Sequence, residues 1–292
     1  YYSVGLKKAR LKELDLLSVK SKSIYKFYNG DLEDQKTLEK IFQESNPDIV
    51  INLAAQAGVR YSLTNPLAYV NSNIIGFTNI LEISRKNNIK HLIYASSSSV
   101  YGGNRIIPFK EKDPVDHPVS MYATSKRANE LMAHTYSHLY GLASTGLRFF
   151  TVYGPWGRPD MALFKFTKNI ISNKSIELFN KGNHIRDFTY IDDIVDGIYL
   201  LIKKHPKNKI PYDIFNIGNG SPKKLMQYVK QIELNLNKKA KIKKLPLQPG
   251  DVTKTHADIN KLKIKTNYKP KTTLKKGLAH FIEWYKEYYK VD

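Results

Sequence analysis

Cysteine is absent from the 292 residues. Its absence excludes disulfides, thiolate nucleophiles and cysteine-ligated metal sites, and it fits a reducing compartment. Long apolar runs are missing as well. No stretch approaches the roughly 18 residues that a membrane span requires, and no apolar region follows the charges of the opening Tyr1-Tyr2-Ser3-Val4-Gly5-Leu6-Lys7-Lys8, as it would in a secretory leader. A soluble, cytoplasmic chain without a membrane partner is therefore expected. Arginine is scarce, with 8 residues against 39 lysines, although the net charge is +21. The last 90 residues, from Lys203, hold 22 Lys, no Arg and 7 acids, so +15 of that charge lies there. A nucleic-acid surface relies on the planar arginine fork to read phosphate and guanine. Lysines scattered among Asn and Ile read instead as a solvated basic face, and no nucleic-acid partner is expected. Internal repeats and low-complexity linkers are also lacking, while 41% hydrophobic residues exclude a disordered chain and supply ample core.

What remains is an alternation of strand and helix signals over the first two-thirds, which predicts an α/β fold with a parallel sheet. Residues Leu6–Leu17 read as an amphipathic helix and Ile24–Tyr28 as a short strand ending at Gly30-Asp31. A helix is expected over Leu32–Glu44, then a buried strand over Asp48–Leu53 of the kind parallel sheets use. A long helix over Pro66–Asn87 precedes a strand over His91–Ala95; a helix over Val119–Tyr140 leads to a strand over Ser144–Phe149. Beyond Tyr153 the pattern loosens, with helices expected over Met161–Ile171, Asp192–Lys204 and Leu274–Tyr289. Two unequal units follow: residues 1–152 as the larger, and 153–292 as mainly a smaller lobe, with chain exchange between them.

Tyr122-Ala123-Thr124-Ser125-Lys126 is the central constellation. Residues four apart share a helix face, so the phenol and the ammonium can meet at one site. A nearby Lys stabilises the phenolate and lowers the Tyr pKa toward neutrality, giving a base able to take a proton from a sugar hydroxyl. Ser96-Ser97-Ser98-Ser99-Val100-Tyr101-Gly102 follows a buried strand, at the carboxyl end where open α/β sheets place their ligands. A serine hydroxyl there can hold the oxygen that the Tyr deprotonates. His134 and His138 have zinc-ligand spacing, but no Cys or His-Glu element completes a site, so no metal is expected. Trp284-Tyr285 and Tyr288-Tyr289 read as a helix packing onto the body.

With Asn52–Ser62, Arg148–Met161, Arg186–Asp193 and Gln248-Pro249-Gly250-Asp251-Val252 added in order, the sequence resembles the extended short-chain dehydrogenase/reductases that act on nucleotide sugars. Within them it is similar to the UDP-glucuronate 4-epimerase branch. The resemblance implies a Rossmann-like doubly wound parallel sheet and a smaller substrate lobe. It further implies a bound NAD used and regenerated in each turnover, a UDP-sugar substrate, and a homodimer. Residues 1–152 would bind NAD and 153–292 mainly the UDP-sugar. Tyr122 would deprotonate the C4 hydroxyl while C4 hydride passes to the nicotinamide; the 4-keto sugar would then turn and take the hydride back on its other face. Lys126 would also hold the nicotinamide ribose, and Ser97 and Ser99 the reacting oxygen. Asp31, Leu32, Leu53, Ala54, Ala55, Ala57 and Asn73 match cofactor positions, with Asp31 also readable as a helix N-cap. Arg186 matches a UDP contact suited to its bidentate fork, and Asp251 a substrate position.

Thr151 and Arg158 match positions near a substrate carboxylate. Oxidising C4 of a glucuronate yields a β-keto acid, which loses carbon dioxide when the carboxylate aligns with the carbonyl π system. A cation and a hydroxyl can hold it out of line. Nucleotide-sugar 4,6-dehydratases carry an acidic pair where this chain has Ser98 and Ser99, which argues against that alternative; a UDP-glucuronate decarboxylase would differ in its products. An alternative of another class, a non-catalytic nucleotide- or polyanion-binding protein, is opposed by the intact Ser97, Tyr122 and Lys126. The family opens with a strand, a Gly-x-x-Gly-x-x-Gly turn and a helix that bind pyrophosphate. No such motif occurs here, and Tyr1-Tyr2 resembles the segment after the second strand. The chain is thus expected to lack two central strands, to bare the edge of the Asp48–Leu53 strand, and to bind NAD weakly on its own.

Overall fold

The computed structural model describes residues 2–248 and 250–291. Tyr1 and Pro249, which belong to the motifs above, lie outside the described residues. Four parallel strands form the central sheet: β1 (Ile49–Asn52), β2 (His91–Ser97), β3 (Ser144–Phe149) and β4 (Tyr212–Ile217), side by side in that order. Register aligns Ser97 with Phe149 and Phe149 with Ile217, so the carboxyl ends finish at one level. β2 is buried almost throughout, which its apolar run requires of a strand covered on both faces. β1 lies at the sheet's edge, where Ile51 and Leu53 are exposed.

Helices α1 (Val4–Ser21), α2 (Gln35–Ser45), α3 (Gly76–Lys86) and α4 (Met121–Tyr140) belong to the first half. A short α-turn over Pro66–Tyr69 and a π-helical segment over Val70–Ile75 run directly into α3, giving the long helical stretch that the sequence predicts. α4 begins where the Ser120 hydroxyl accepts from the Ala123 N–H at 3.1 Å, and it ends at Gly141, whose φ of 69° only glycine adopts freely. In the second half lie α5 (Ala162–Ile171), α6 (Ile191–Ile202), α7 (Leu225–Leu236), α8 (Asn260–Thr266) and α9 (Leu274–Tyr289). Leu38, Phe77 and Leu81 cover one face of the sheet; Ile194, Leu201, Leu262 and Tyr268 cover the other. A third core, around Phe164, Phe188, Tyr228 and Phe281, gathers α5, α7 and α9. The chain after residue 153 therefore feeds both halves, because α6, β4 and α8 return to the sheet. The terminal aromatics pack as expected: Phe281 and Tyr285 enter this third core.

Three expectations fail. The helix read as amphipathic over Leu6–Leu17 forms within α1 but has no apolar face, since Leu6 is buried while Leu14, Leu16 and Leu17 are exposed. Ile24–Tyr28 is not a strand: Ile24 is fully exposed, and the segment is tied to α2 by Lys26 and Tyr28 donating to Glu44 at 2.8 and 3.1 Å. Its β propensity finds no ladder, because among the described residues no strand lies beside it. The following helix starts at Gln35, and its cap is Asp34, which accepts from the Thr37 N–H at 3.1 Å. Asp31 instead accepts from the Glu33 N–H at 3.3 Å in a local turn, so it is not the N-cap. No helix among the described residues is long and apolar enough to cross a membrane.

Candidate active site

α4 runs beneath the carboxyl end of β2, and its spacing sets Tyr122 and Lys126 on the face toward the strand. Lys126 is buried, and its Nζ donates to the Ala95 carbonyl at 2.8 Å. Burial lowers its pKa to about 8. Ser97 closes β2 and accepts from the Ser99 N–H at 3.1 Å, while the two serine hydroxyls lie 3.2 Å apart. Tyr122 lines the same cavity as this pair. Its titration departs from the expectation. Desolvation pushes the phenol above its ordinary value, with Ser97 and Arg158 pulling the other way. The ammonium of Lys126 is engaged with a strand carbonyl, so the downward pull comes from Ser97 and Arg158.

One residue that fixes this geometry escaped the sequence reading. Glu130 follows Lys126 by four positions on the same face of α4 and is fully buried. It takes a bidentate pair from Arg148 of β3 at 2.8 and 2.9 Å, and accepts from Ser96 at 2.6 Å and Arg127 at 3.1 Å. The carboxylate thus bolts the helix to the ends of β2 and β3, one residue before Ser97. The Tyr-x-x-x-Lys-x-x-x-Glu spacing was its only signal in the sequence.

Two connected cavities open here. The first, about 700 Å³, is walled by Ala55, Ala57, Ser97, Ser99, Tyr122 and Lys126. The second, about 960 Å³, is lined by Arg60, Lys165, Phe179 and His184 among others. Thr151, Arg158, Arg186 and Asp251 border both. Arg186 donates to Asp251 at 2.9 Å and to the Thr253 carbonyl at 3.1 Å. Burial alone would raise the Asp251 carboxyl, but His184, 3.3 Å away, and Arg186 hold it below its ordinary value. Arg158 contacts Asp160 at 3.2 Å, and Arg60 lies over the Phe179 ring at 4.5 Å. Arg60 falls within the Asn52–Ser62 motif, whereas His184 was not singled out from sequence, because only the fold brings residues so far apart in the chain together.

The candidate cofactor residues divide. Ala55, Ala57, Tyr122 and Lys126 share the first cavity, and Leu53 lines it while half exposed. Methyl-sized walls beside a buried ammonium suit a flat nicotinamide ring and its ribose. Asp31 and Ala54 are exposed and Leu32 packs against Gly76; none of the three lines this cavity. Asn73 is a buried strut: it accepts from the Gln56 N–H at 2.8 Å and donates to the Gln56 carbonyl at 3.0 Å and to Ser125 at 2.9 Å, bracing the loop after β1 on α4. His134 stacks on His138 at 6.4 Å and meets Tyr212 edge-on; among the described residues no cluster of His, Asp or Glu could hold a metal.

Residues 5–218 match the family described as the NAD dependent epimerase/dehydratase family. The protein CapI of Staphylococcus aureus is 53% identical, over 99% of this chain and 89% of that protein. UDP-glucuronate 4-epimerase 4 of Arabidopsis thaliana is 47% identical, over 100% of this chain and 69% of its own length. Among solved structures, UDP-glucuronic acid 4-epimerase from Bacillus cereus, in complex with UDP-glucuronic acid and NAD, superposes with a TM-score of 0.88. It is 31% identical, covering 98% of this chain and 87% of the other.

Proposed function

The chain belongs to the NAD dependent epimerase/dehydratase family, and from that premise we propose that it interconverts UDP-glucuronate and UDP-galacturonate by inverting C4 through a transient 4-keto sugar. The observation that carries the substrate is the position of Arg158, which borders both cavities and acts electrostatically on Tyr122. A nucleotide sugar laid across the two would have its ring beside Tyr122, Ser97 and Ser99 and its diphosphate and uridine toward Arg186 and Asp251.

Tyr122 takes the proton of the C4 hydroxyl and later returns it. Its desolvated hydroxyl needs help to ionise, and the Ser97 hydroxyl together with the Arg158 charge supplies it. Ser97 and Ser99 hold the C4 oxygen between them, and Lys126 would hold the nicotinamide ribose. When bound, NAD supplies the acceptor and then the donor of the C4 hydride. Thr151 and Arg158 grip the C6 carboxylate and keep it out of line with the C4 carbonyl, which prevents loss of carbon dioxide. The relatives named as UDP-glucuronate 4-epimerases support this substrate.

Arg158→Ala tests the assignment. Losing a charge-assisted hydrogen bond costs about 1.5–3 kcal/mol, so affinity for UDP-glucuronate should fall about tenfold or more. Carbon dioxide and a UDP-pentose should appear beside the epimer, while a neutral UDP-hexose is handled with little change. Equal losses on both sugars, without carbon dioxide, would return Arg158 to loop packing and withdraw glucuronate as the substrate.

A further inference from the structure

The loop carrying Arg158 is bent against the preference of its own residues. Gly154-Pro155-Trp156-Gly157 makes a turn in which the Gly157 N–H donates to the Gly154 carbonyl at 3.3 Å. Proline at the second position and positive φ at the third mark a type II turn, whose third position ordinarily takes Gly or Asn. Here it is Trp156, at φ 60°, a conformation that bulky side chains rarely adopt. Something outside the turn must hold it.

Two elements far away in sequence do so. The Trp156 ring meets Trp284 and Tyr288 of α9, each at 5.2 Å, and those two rings stack on each other at 5.4 Å. At the next residue, Arg10 of α1 donates to the Gly157 carbonyl at 2.9 Å, and its second terminal nitrogen donates to the Tyr2 hydroxyl at 2.6 Å. Neither Trp156 nor Arg10 lines the two cavities, yet Arg158 follows immediately and lines both. Strain held next to a functional side chain keeps that side chain in a pose its local sequence would not choose.

We infer that Trp156 and Arg10 are positioning residues, which hold the turn at two points and so aim the Arg158 guanidinium at the sugar carboxylate. This rests on the reading of Arg158 given under the proposed function. The alternative is plain packing of α9 and α1 onto the body, and the two differ in what they predict. Glycine adopts φ 60° freely, so Trp156→Gly relieves the turn while removing its anchor. Packing alone would lower the melting temperature and leave KM and product identity as they were.

The test compares Trp156→Gly, Trp156→Phe and Arg10→Met with the parent, in the full chain with NAD. Trp156→Gly and Arg10→Met should raise KM for UDP-glucuronate about tenfold or more, since misplacing a binding group is costly. Both should release a UDP-pentose and carbon dioxide, and Trp156→Phe, which keeps a ring in the contact, should stay within about threefold of the parent. If Trp156→Gly does not fold, Arg10→Met decides. Parental KM and clean epimer from the variants would overturn the clamp. If the parent turns over only a neutral UDP-hexose, the substrate reading falls first and the clamp falls with it, because no carboxylate remains for Arg158 to be aimed at.

Discussion

Lys126 shows how one side chain ties chemistry to stability. Its folded pKa of about 8 lies below the 10.5 of an exposed lysine, and burial is the cause. Between those two values the unfolded chain holds a proton that the folded chain has released, so stability rises with pH across the window. Below about pH 8 both states are protonated, and the folded state bears the full cost of a buried charge. Lys126→Met should remove that rise: in urea unfolding without nucleotide, the parent should gain on the order of 2–3 kcal/mol relative to the variant between pH 7.5 and pH 10. Parallel pH profiles would mean that the ammonium is hydrated. At this scale the sequence was most legible where chemistry and spacing coincide. Tyr122, Lys126, Ser97, Ser99, Thr151, Arg158, Arg186 and Asp251 all reach one pair of joined cavities. Asp31 and Leu32 do not line them, because among the described residues no strand flanks their segment, and Ala54 is turned to solvent between Leu53 and Ala55, which do.

Elements were legible in proportion to how much of their burial pattern is local. The helix at Leu274–Tyr289 and the strand at Ser144–Phe149 are periodic and formed as read, and the helix read over Val119–Tyr140 starts at Met121, behind its Ser120 cap. Ile24–Tyr28 has strand residues without a ladder, and propensity alone does not make a strand. The paired strands Ser175–Leu178 and Lys241–Lys244 went unread; the latter is fully exposed Lys-Ile-Lys-Lys and owes its form to a partner over sixty residues away. Glu130 was missed because a glutamate on a helix ordinarily faces water, and only the fold brings Arg148 against it. Removing one member of a buried pair strands the other. Glu130→Ala should therefore cost about 3–5 kcal/mol in denaturant unfolding. Combining it with Arg148→Met should recover part of the loss, since no charge is then left buried. A loss below about 1 kcal/mol for Glu130→Ala would place the pair in the weak class of solvent-screened contacts.

For the whole molecule, charge and architecture answer different questions. Most of the chain's +21 lies in its lysine-rich second half, and only a few of the cations there, such as Lys165 and Lys243, border the cavities. The arginines carry the specific work: Arg148 locks the sheet to α4, Arg186 pairs with Asp251, Arg10 reaches the turn before Arg158, and Arg158 itself stands where the cavities join. The parallel sheet was readable from its strand–helix alternation. The return of α6, β4 and α8 to that sheet from the second half is a matter of tertiary packing that no local pattern announces. The central claim is that this arrangement inverts C4 of UDP-glucuronate while keeping its carboxylate. Product analysis tests it most directly, by incubating the full chain with NAD and UDP-glucuronate and resolving the nucleotide sugars by NMR. The account predicts an equilibrium mixture of UDP-glucuronate and UDP-galacturonate, with no carbon dioxide and no net reduction of NAD. A UDP-pentose with carbon dioxide as the main product, or turnover confined to neutral UDP-hexoses, would contradict it.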